Sequence, residues 1–280
     1  MNNNKVKPFL RWAGGKTWLV DRLSKIIDID TYEAYYEPFL GGGSVFFELN
    51  PKKEVYLSDI NDDLISTYQS IKIAPDDVWR ILSSYQNTEA DYYFIRSQNP
   101  SNPIERAARF IYLNHTSFNG LYRVNRAGKY NVPYGKRKTI GYNKNTILAA
   151  SERLQNVVLS VGDFASILNN VKKGDFVFLD PPYVVANDVN GFIQYNQHLF
   201  SLEDQKRLND IIEKIRNTGA YYLLTNARHD TIKEIFQKQG DSTIILSRNS
   251  AIGGKKAFRG VTEEFLFTNI PEADRIISPS

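Results

Sequence analysis

Cysteine is absent from this 280-residue chain, which excludes disulfides, thiolate metal sites and catalysis by a cysteine nucleophile. Methylation of cytosine at carbon 5 runs through a cysteine adduct, so that reaction is excluded as well. The three histidines lie far apart without the spacing of metal ligands, so we predict no metal site. No apolar run reaches the length of a membrane span, and no secretory leader is recognisable. These absences predict a cytoplasmic protein with no membrane partner.

Acidic residues are missing from the whole segment between Glu105 and Glu152, where nine cations face no local anion and seven aromatic residues are interleaved. The cations are Arg106, Arg109, Arg123, Arg126, Lys129, Lys136, Arg137, Lys138 and Lys144, and the aromatic residues are Phe110, Tyr112, Phe118, Tyr122, Tyr130, Tyr134 and Tyr142. Because cations neutralise phosphates and aromatic rings stack on bases, this composition predicts a nucleic-acid-binding surface. A solvated basic face over a few core aromatics is the alternative.

A short ribbon is predicted inside this segment. The pattern of residues 122–134 is typical of two short strands around an Arg-Ala-Gly turn. Such a ribbon fits the major groove of DNA, where an arginine can contact guanine O6 and N7 together.

Two glycine-rich turns lie in the N-terminal part of the chain. Gly15-Lys16-Thr17 looks like the end of a phosphate-binding loop, but that pattern needs a glycine where this chain has Leu10, so ATP binding is not predicted. Gly41 and Gly43 lead into a predicted helix, and the strand that follows ends at Asp59. Since an acid at that place accepts ribose hydroxyls in nucleotide-binding sheets, we predict a nucleoside ligand smaller than a dinucleotide.

A rigid cluster of acceptors is predicted at Asp180-Pro-Pro-Tyr183, which follows the apolar run at 176–179. This run is typical of a central strand in a covered parallel sheet, and ligands bind at the ends of such strands. The Asp180 carboxylate and the Pro181 carbonyl can accept hydrogen bonds from the exocyclic amino group of a base. Tyr183 can stack on that base. A strand-ending turn is the alternative, because Asp-Pro pairs commonly begin turns.

The remaining signals complete an α/β pattern. A strand is predicted at 157–161, and the Gly162-Asp163-Phe164 that follows offers an acid and a ring that can hold an adenine. A capping-box pattern predicts a helix from Ser201, and a strand is predicted at 220–224. Residues 243–246 and 263–268 are expected to form a closing antiparallel pair, with a basic loop at 248–259 between them.

Taken in order, these segments resemble the Dam-type and DpnII-type DNA adenine N6-methyltransferases of the α group, which carry the Asp-Pro-Pro-Tyr motif. The resemblance covers about residues 7 to 269. The motifs that carry it are Trp12-Ala-Gly-Gly-Lys16, Glu37-Pro-Phe39-x-Gly41-x-Gly43, Asp59-Ile-Asn61, Phe118-Asn-Gly-Leu-Tyr-Arg123, Asn131-Val-Pro133, Gly162-Asp-Phe164 and Asp180-Pro-Pro-Tyr183.

The resemblance implies S-adenosylmethionine as methyl donor, no metal, and double-stranded DNA as substrate. It also implies an α/β fold, in which a Rossmann-like methyltransferase sheet carries an inserted, mainly helical target-recognition domain with a β-hairpin. The catalytic domain is then expected at residues 1–71 and 151–280, and the DNA-binding insert at residues 72–150.

Matched position by position, the resemblance implies three sets of site residues. The target adenine is expected to contact Asp180, Pro181, Pro182 and Tyr183. The donor-binding residues are expected to be Trp12, Lys16, Phe39, Gly41, Gly43, Asp59, Asp163, Phe164 and Asp180. The DNA-binding residues are expected to be Phe118, Asn119, Leu121, Arg123, Asn125, Pro133 and Arg137. Among these, Arg123 matches a guanine-reading arginine, and Phe118 with Asn119 matches residues that wedge into the duplex.

The chain departs from the resemblance after the Val-Pro motif, where close relatives have Gly-Arg-Tyr-Lys and this chain has Gly135-Lys136-Arg137-Lys138. A cation replaces the tyrosine, so phosphate contact at Arg137 is expected to supplement or replace base readout there. The family methylates adenine in GATC, which makes GATC the expected target, reached by base flipping and direct methyl transfer. We expect a monomer, with a cognate restriction endonuclease as a possible partner that forms no stable complex.

Other functions stay open at this point. The same amine-holding site would serve adenine or N4 of cytosine in another DNA sequence, adenine in RNA, or a glutamine in a protein. A DNA-binding relative that has lost catalysis is the alternative that is not an enzyme.

Overall fold

The computed structural model describes residues 6–125, 127–183, 200–249 and 261–273. The chain forms two compact units, the first of Met1–Val20 with Leu40–Gly162 and the second of Asp21–Phe39 with Asp163–Ser280. Arg126 in the turn of the predicted ribbon, and residues 250–259 of the predicted basic loop, lie outside the described residues.

The described helices and strands follow one another in an α/β order. The helices are α1 Thr17–Ile26, α2 Ser44–Leu49, α3 Asp62–Ile73, α4 Pro75–Leu82, α5 Glu89–Ser97, α6 Pro103–Thr116, α7 Lys144–Leu154, α8 Phe164–Ile167, α9 Leu202–Thr218 and α10 Asp230–Phe236. The strands are β1 Ala34–Glu37, β2 Glu54–Asp59, β3 Val157–Val161, β4 Phe176–Leu179, β5 Tyr221–Ala227, β6 Ser242–Asn249 and β7 Val261–Thr268.

The first unit joins a parallel strand pair to a set of packed helices. Strands β2 and β3 pair in parallel from Val55 opposite Val157 to Asp59 opposite Val161. Helix α3 packs against α6 and α7 and buries the apolar stripe of an amphipathic helix. The Asn61 side chain begins α3 by accepting a hydrogen bond from the Leu64 N–H. The acid that ends β2 therefore lies two residues before the cap of the next helix.

Among the described residues of the second unit, five strands pair in the order β1-β4-β5-β7-β6. Strands β1, β4 and β5 are parallel, whereas β7 runs antiparallel to both β5 and β6. All four residues of β4 are buried, as expected for a short run of Phe, Val and Leu between two parallel neighbours. The predicted Rossmann-like α/β fold with a closing antiparallel pair is confirmed. Strand β5 differs from the expectation, since it continues through Thr225 and Asn226 because both residues pair with β7.

Residues 72–150 are mainly helical, as predicted, and the hairpin is reduced to single antiparallel bridges. One bridge joins Val124 to Tyr130 and a second joins Ser117 to Tyr134. On the side of the turn the pairing stops after the Asn125 N–H donates to the Lys129 carbonyl, because the Asn125 side chain accepts hydrogen bonds from the backbone N–H groups of Ala127 and Lys129. The Lys129 N–H therefore bonds to the Asn125 side chain instead of to the Asn125 carbonyl across the ribbon. The limits of a target-recognition domain at 72 and 150 stay a prediction.

Within the described part of the chain, no helix has both the length and the apolar character that crossing a membrane requires.

Candidate functional site

The glycine turn at residues 41–43 lies against Trp12 in the first unit. Gly41 has a φ of 48°, and a Cβ atom at this position would lie 2.7 Å from Cδ1 of the Trp12 ring. Gly43, with a φ of 65°, precedes the first turn of α2. A side chain at residue 41 would strain the backbone and collide with the indole. The predicted glycine turn and the helix after it are thus both present.

Asp59 connects this turn to the end of β2. Its Oδ2 accepts a hydrogen bond from the Gly41 N–H at 3.0 Å, and its Oδ1 accepts one from the Asn61 N–H at 3.0 Å. Burial raises the pKa of the Asp59 carboxyl, and the neighbouring backbone N–H groups act in the opposite direction. A carboxylate has about four acceptor positions. The turn therefore uses only part of the hydrogen-bonding capacity of Asp59.

Lys16 is buried with 2% of its surface exposed, close to the same turn. Its backbone N–H donates to the Ser44 hydroxyl at 3.0 Å, at the first residue of α2. Its ammonium donates to the Gly14 carbonyl at 3.1 Å. A buried ammonium is costly unless it is hydrogen-bonded, so its position is specified by these contacts. The first unit thus brings together Trp12, Lys16, Gly41, Gly43 and Asp59.

Trp12 also contacts the segment that was predicted to bind nucleic acid. Its ring stacks on Tyr122 with the ring centres 5.8 Å apart, and on Phe110 at 6.4 Å. The amide of Asn114 accepts from the Arg11 N–H at 2.7 Å and donates to the Arg11 carbonyl at 2.6 Å. The backbone next to Trp12 is therefore tied to helix α6, which leads into the Phe118–Gly120 turn.

The predicted DNA-reading arginine, Arg123, is exposed on the ribbon, and its guanidinium is hydrogen-bonded to Asn131. The Nε of Arg123 donates to Oδ1 of Asn131 at 2.7 Å, and its Nη2 donates to the Asn131 carbonyl at 3.2 Å. Asn125 is exposed, and its side chain organises the turn. An arginine that is oriented before binding loses less entropy when it contacts a base.

The two predicted wedge residues lie at an exposed turn. Phe118 is 52% exposed, and Asn119 adopts a left-handed conformation with a φ of 55°. The Phe118 N–H donates to the carbonyl of Pro133, an exposed residue, at 2.9 Å. Leu121 is half-buried just beyond this turn. The sequence-distant motifs at 118–123 and 131–133 are thus adjacent in the first unit.

Two of the nine cations, which have no acid near them in the sequence, pair with acids from outside the acid-free segment. Arg106 forms ion pairs with Asp62 at 3.0 Å and Asp63 at 2.6 Å, and Lys144 pairs with Asp76 at 2.9 Å. The acids come from α3 and α4, which precede the acid-free segment in sequence but pack beside it in the fold.

A third cation of this segment has an internal role. The Arg109 guanidinium donates to two carbonyls at the end of α5, and burial lowers its pKa. Arg137 is half-buried, while Arg123, Lys129, Lys136 and Lys138 are exposed. The surface that remains for phosphate contact is smaller than the sequence predicts.

An aromatic cluster surrounds the start of α8 in the second unit. Phe164 stacks on Phe39 with ring centres 5.4 Å apart and meets Phe200 at 5.6 Å. The Asp163 side chain accepts from the Ala165 N–H at 2.9 Å and pairs with Arg207 at 2.9 Å. The Arg207 guanidinium also lies 4.9 Å from the centre of the Phe164 ring. The unit therefore brings Phe39, Asp163 and Phe164 together, with Phe200 and Arg207 as additional members.

The residues that follow β4 form the polar cluster of this unit. Asp180 is half-buried, and its Oδ1 accepts a hydrogen bond from the Thr225 hydroxyl at 2.7 Å. The Tyr183 hydroxyl donates to Oε2 of Glu264 at 2.7 Å. Burial first, and then the charges of Asp180 and Glu264, raise the pKa of Tyr183 well above its usual value. Pro181 is buried and Pro182 exposed, so Asp180, Pro181, Pro182 and Tyr183 occupy one strand end, as predicted.

Sequence reasoning missed Asn114, Thr225 and Glu264. Asn114 and Glu264 had weak signals, because an amide in an apolar helix, or an acid followed by Phe and Leu in a strand, needs a partner when buried. The partners come from other elements, so their identity was not visible in the sequence. Arg207 and Phe200 were missed for the same reason.

Comparison with known proteins gives consistent matches. Residues 12–251 match a family model described as D12 class N6 adenine-specific DNA methyltransferase. The chain is 34% identical over 279 residues to the Type II methyltransferase M1.LlaDCHI of Lactococcus lactis subsp. cremoris, which covers 96% of this chain and 97% of that protein. It is 34% identical over 282 residues to the Type II methyltransferase M.MjaIII of Methanocaldococcus jannaschii, covering 92% and 98%. It is 31% identical over 258 residues to the DNA adenine methylase of Escherichia coli strain K12, covering 89% and 91%.

Proposed function

This chain belongs to the D12 class of N6 adenine-specific DNA methyltransferases, and we propose that it methylates adenine within GATC in duplex DNA after flipping the base out of the helix. The observation that carries the proposal is the cluster at the end of β4. There a hydrogen-bonded carboxylate, a proline carbonyl and a tyrosine ring lie within four consecutive residues. Together they supply two acceptors for an amino group and a stacking surface for its base.

The family implies S-adenosylmethionine as donor, and two groups of residues fit it. In the first unit we assign Trp12, Lys16, Gly41, Gly43 and Asp59, because the turn permits close backbone approach and Asp59 retains acceptor capacity for ribose hydroxyls. In the second unit we assign Phe39, Asp163, Phe164 and Asp180, because they supply rings and acids for the adenine and methionine parts. When bound, this donor supplies a methyl group activated by a sulfonium.

The chain's own contribution to the reaction is alignment. The lone pair of an adenine amino group is delocalised into the ring, so the amine is a weak nucleophile. Acceptance of its two N–H bonds by the Asp180 carboxylate and the Pro181 carbonyl draws the lone pair back to nitrogen. Asp180 orients the neutral amine. As the new carbon–nitrogen bond forms, the bond from the methyl group to the donor's sulfur would break, and the amine proton, acidic only at that stage, would leave to solvent. Tyr183 contributes its ring as a stacking surface.

Extrusion of the base costs a few kcal/mol, which DNA contacts in the first unit offset. We assign Phe118 and Asn119 to the wedge, because Phe118 is exposed on a turn of fixed geometry. Arg123 is assigned to a guanine, with Leu121, Asn125 and Pro133 beside it, and Arg137 to a phosphate or outer base. We assign residues 72–150 to target recognition and the remainder to the donor and the reaction.

Two relatives named as Type II methyltransferases support a setting of restriction and modification. We propose that the chain acts in the cytoplasm as a monomer, and that a cognate endonuclease recognises the same site without binding it stably.

The deciding experiment is sequencing of modified bases in DNA from cells that express this chain and lack other adenine methylation. N6-methyladenine in GATC is the expected result. Methylation of cytosine N4 would contradict the proposed target base, and methylation of adenine in another sequence would contradict the proposed GATC site. Incubation of the purified protein with tritiated donor and duplex DNA, RNA or cell protein then separates the substrate classes.

A further inference from the structure

The end of β5 lies next to the end of β4, and this register brings a hydroxyl to the Asp180 carboxylate. Leu179 pairs with Leu224, so the following residues, Asp180 and Thr225, are neighbours at the same edge. The Thr225 hydroxyl donates to Oδ1 of Asp180 at 2.7 Å. Thr225 itself is fully buried. Its side chain is therefore held by both strands, and β-branching restricts its χ1 angle further.

Strand β7 brings an acid to the other end of the cluster. Glu264 lies opposite Ala227, two residues beyond Thr225, and only 1% of its surface is exposed. It accepts the Tyr183 hydroxyl at 2.7 Å. Burying a carboxylate in a sheet is expensive unless it accepts hydrogen bonds, and an apolar residue of similar size would fill the same space without that cost. The burial of an acid at this position therefore calls for a reason beyond packing.

We propose that Thr225 and Glu264 are positioning residues for methyl transfer, an inference that rests on the proposed function of the Asp180 cluster. Thr225 sets the plane of the Asp180 carboxylate, so that the carboxylate meets the amine of the target base in one orientation. Glu264 sets the ring of Tyr183 through its hydroxyl, so that the base stacks at one height and tilt. Neither residue needs to touch the substrate.

Position matters here because transfer to a methyl group requires alignment of the attacking atom. A displacement of about 1 Å at a reacting centre costs on the order of a hundredfold in rate. A hydroxyl and an acid on two different strands restrain the carboxylate and the ring independently. Loss of either restraint should lower kcat while binding of DNA, which depends on the first unit and on base stacking, changes little.

The first test compares Thr225→Val with Thr225→Ser in steady-state methylation of the duplex site identified by sequencing. Valine keeps the shape and removes the donor, so kcat should fall about 10- to 100-fold while the KM for DNA stays within about threefold. Serine restores the donor and should recover most of kcat. Thr268→Val is the matched control, because Thr268 is equally buried in the same sheet but donates to the Tyr222 carbonyl. It should leave kcat within about twofold.

The second test asks whether Glu264 acts through the Tyr183 hydroxyl. Glu264→Gln and Glu264→Leu are measured in the wild-type and in the Tyr183→Phe background. Glutamine keeps an acceptor and should be milder than leucine, which should lower kcat about tenfold. In the Tyr183→Phe background the further loss from Glu264→Leu should be within about twofold, because the restraint is already gone. Glu263→Gln is the control, because Glu263 is the half-buried neighbour and pairs with Arg228 instead of Tyr183.

Thermal unfolding and fluorescence of 2-aminopurine at the target position accompany both tests. A folded Thr225→Val protein with wild-type kcat would overturn the role of Thr225. Equal losses from Glu264→Leu in both backgrounds would overturn the role of Glu264. If Thr225→Val fails to fold, the Thr225→Ser and Thr225→Ala pair replaces it, and equal kcat in that pair overturns the proposal. A wild-type protein that methylates no DNA would instead defeat the proposed function.

Discussion

The cluster at the end of β4 and the exposed ribbon of the first unit carry different kinds of recognition. In the cluster, Asp180 and Tyr183 are held by buried partners on β5 and β7, so strand register sets their positions. On the ribbon, Arg123 is exposed, and its partner is another ribbon residue. Chemistry on one amino group needs fixed atoms, whereas reading a base edge needs accessible side chains. We therefore expect substitutions in the cluster to change kcat and those on the ribbon to change specificity or affinity.

The largest effect should come from Asp180→Ala. The variant loses the carboxylate that orients the amine, so methyl transfer should fall about a hundred- to a thousandfold, as for loss of a preorganised electrostatic group. Duplex binding, measured by fluorescence anisotropy, should stay close to wild type because the ribbon is intact. Full activity in this variant would contradict the view that the cluster controls kcat while the ribbon controls specificity and affinity.

Gly41→Ala should have the next largest effect, and it acts on the donor. The φ of 48° disfavours alanine, and the new Cβ would lie 2.7 Å from the Trp12 ring. Strain and collision together should weaken donor binding by about 2–4 kcal/mol, which calorimetry with S-adenosylmethionine measures. Gly128→Ala is the control, because Gly128 also has a positive φ but meets nothing within 4 Å. Equal donor affinity in the two variants would argue against the assigned role of the turn.

Arg123→Ala should alter specificity rather than rate at saturation. Loss of a bidentate guanine contact costs about 1–3 kcal/mol of discrimination at one base pair. The measurement is kcat/KM on the identified duplex and on duplexes with a single substituted pair. Lys129 is an exposed cation on the same ribbon, and Lys129→Ala should weaken binding to all of these duplexes by the same factor. Unchanged discrimination in Arg123→Ala would remove the base-reading role from the ribbon.

The smallest effect concerns the dependence of DNA binding on salt. Lys138→Gln should reduce the slope of log affinity against log salt by about 0.9 if Lys138 contacts one phosphate. Lys144→Gln should leave the slope unchanged, because Lys144 already pairs with Asp76 at 2.9 Å. Both lysines are exposed. Equal slopes for the two variants would show that the ion pair with Asp76 does not decide which of the two lysines contacts a phosphate.

Much of the fold was accessible from the sequence because its signals are local. The buried run at 176–179, the glycine turn before Ser44 and the capping box at Ser201 each predicted an element that the structure contains. The pairs Asp180–Thr225 and Tyr183–Glu264 were not accessible, since they depend on which strands lie side by side. The number of cations free to contact phosphates was not accessible for the same reason. Asp62, Asp63 and Asp76 pair with cations of the acid-free segment because helix packing brings them together.

The sequence by itself determined the family and the chemical types at the site, because a motif such as Asp180-Pro-Pro-Tyr183 keeps its acceptors together over four consecutive residues. The tertiary structure alone decided which groups hold those acceptors in place and which cations are left to meet phosphates. The physical reason is that hydrogen bonds and ion pairs act over a few ångströms in space, whereas the partners that hold Asp180 and Tyr183 lie 45 and 81 positions away in the chain.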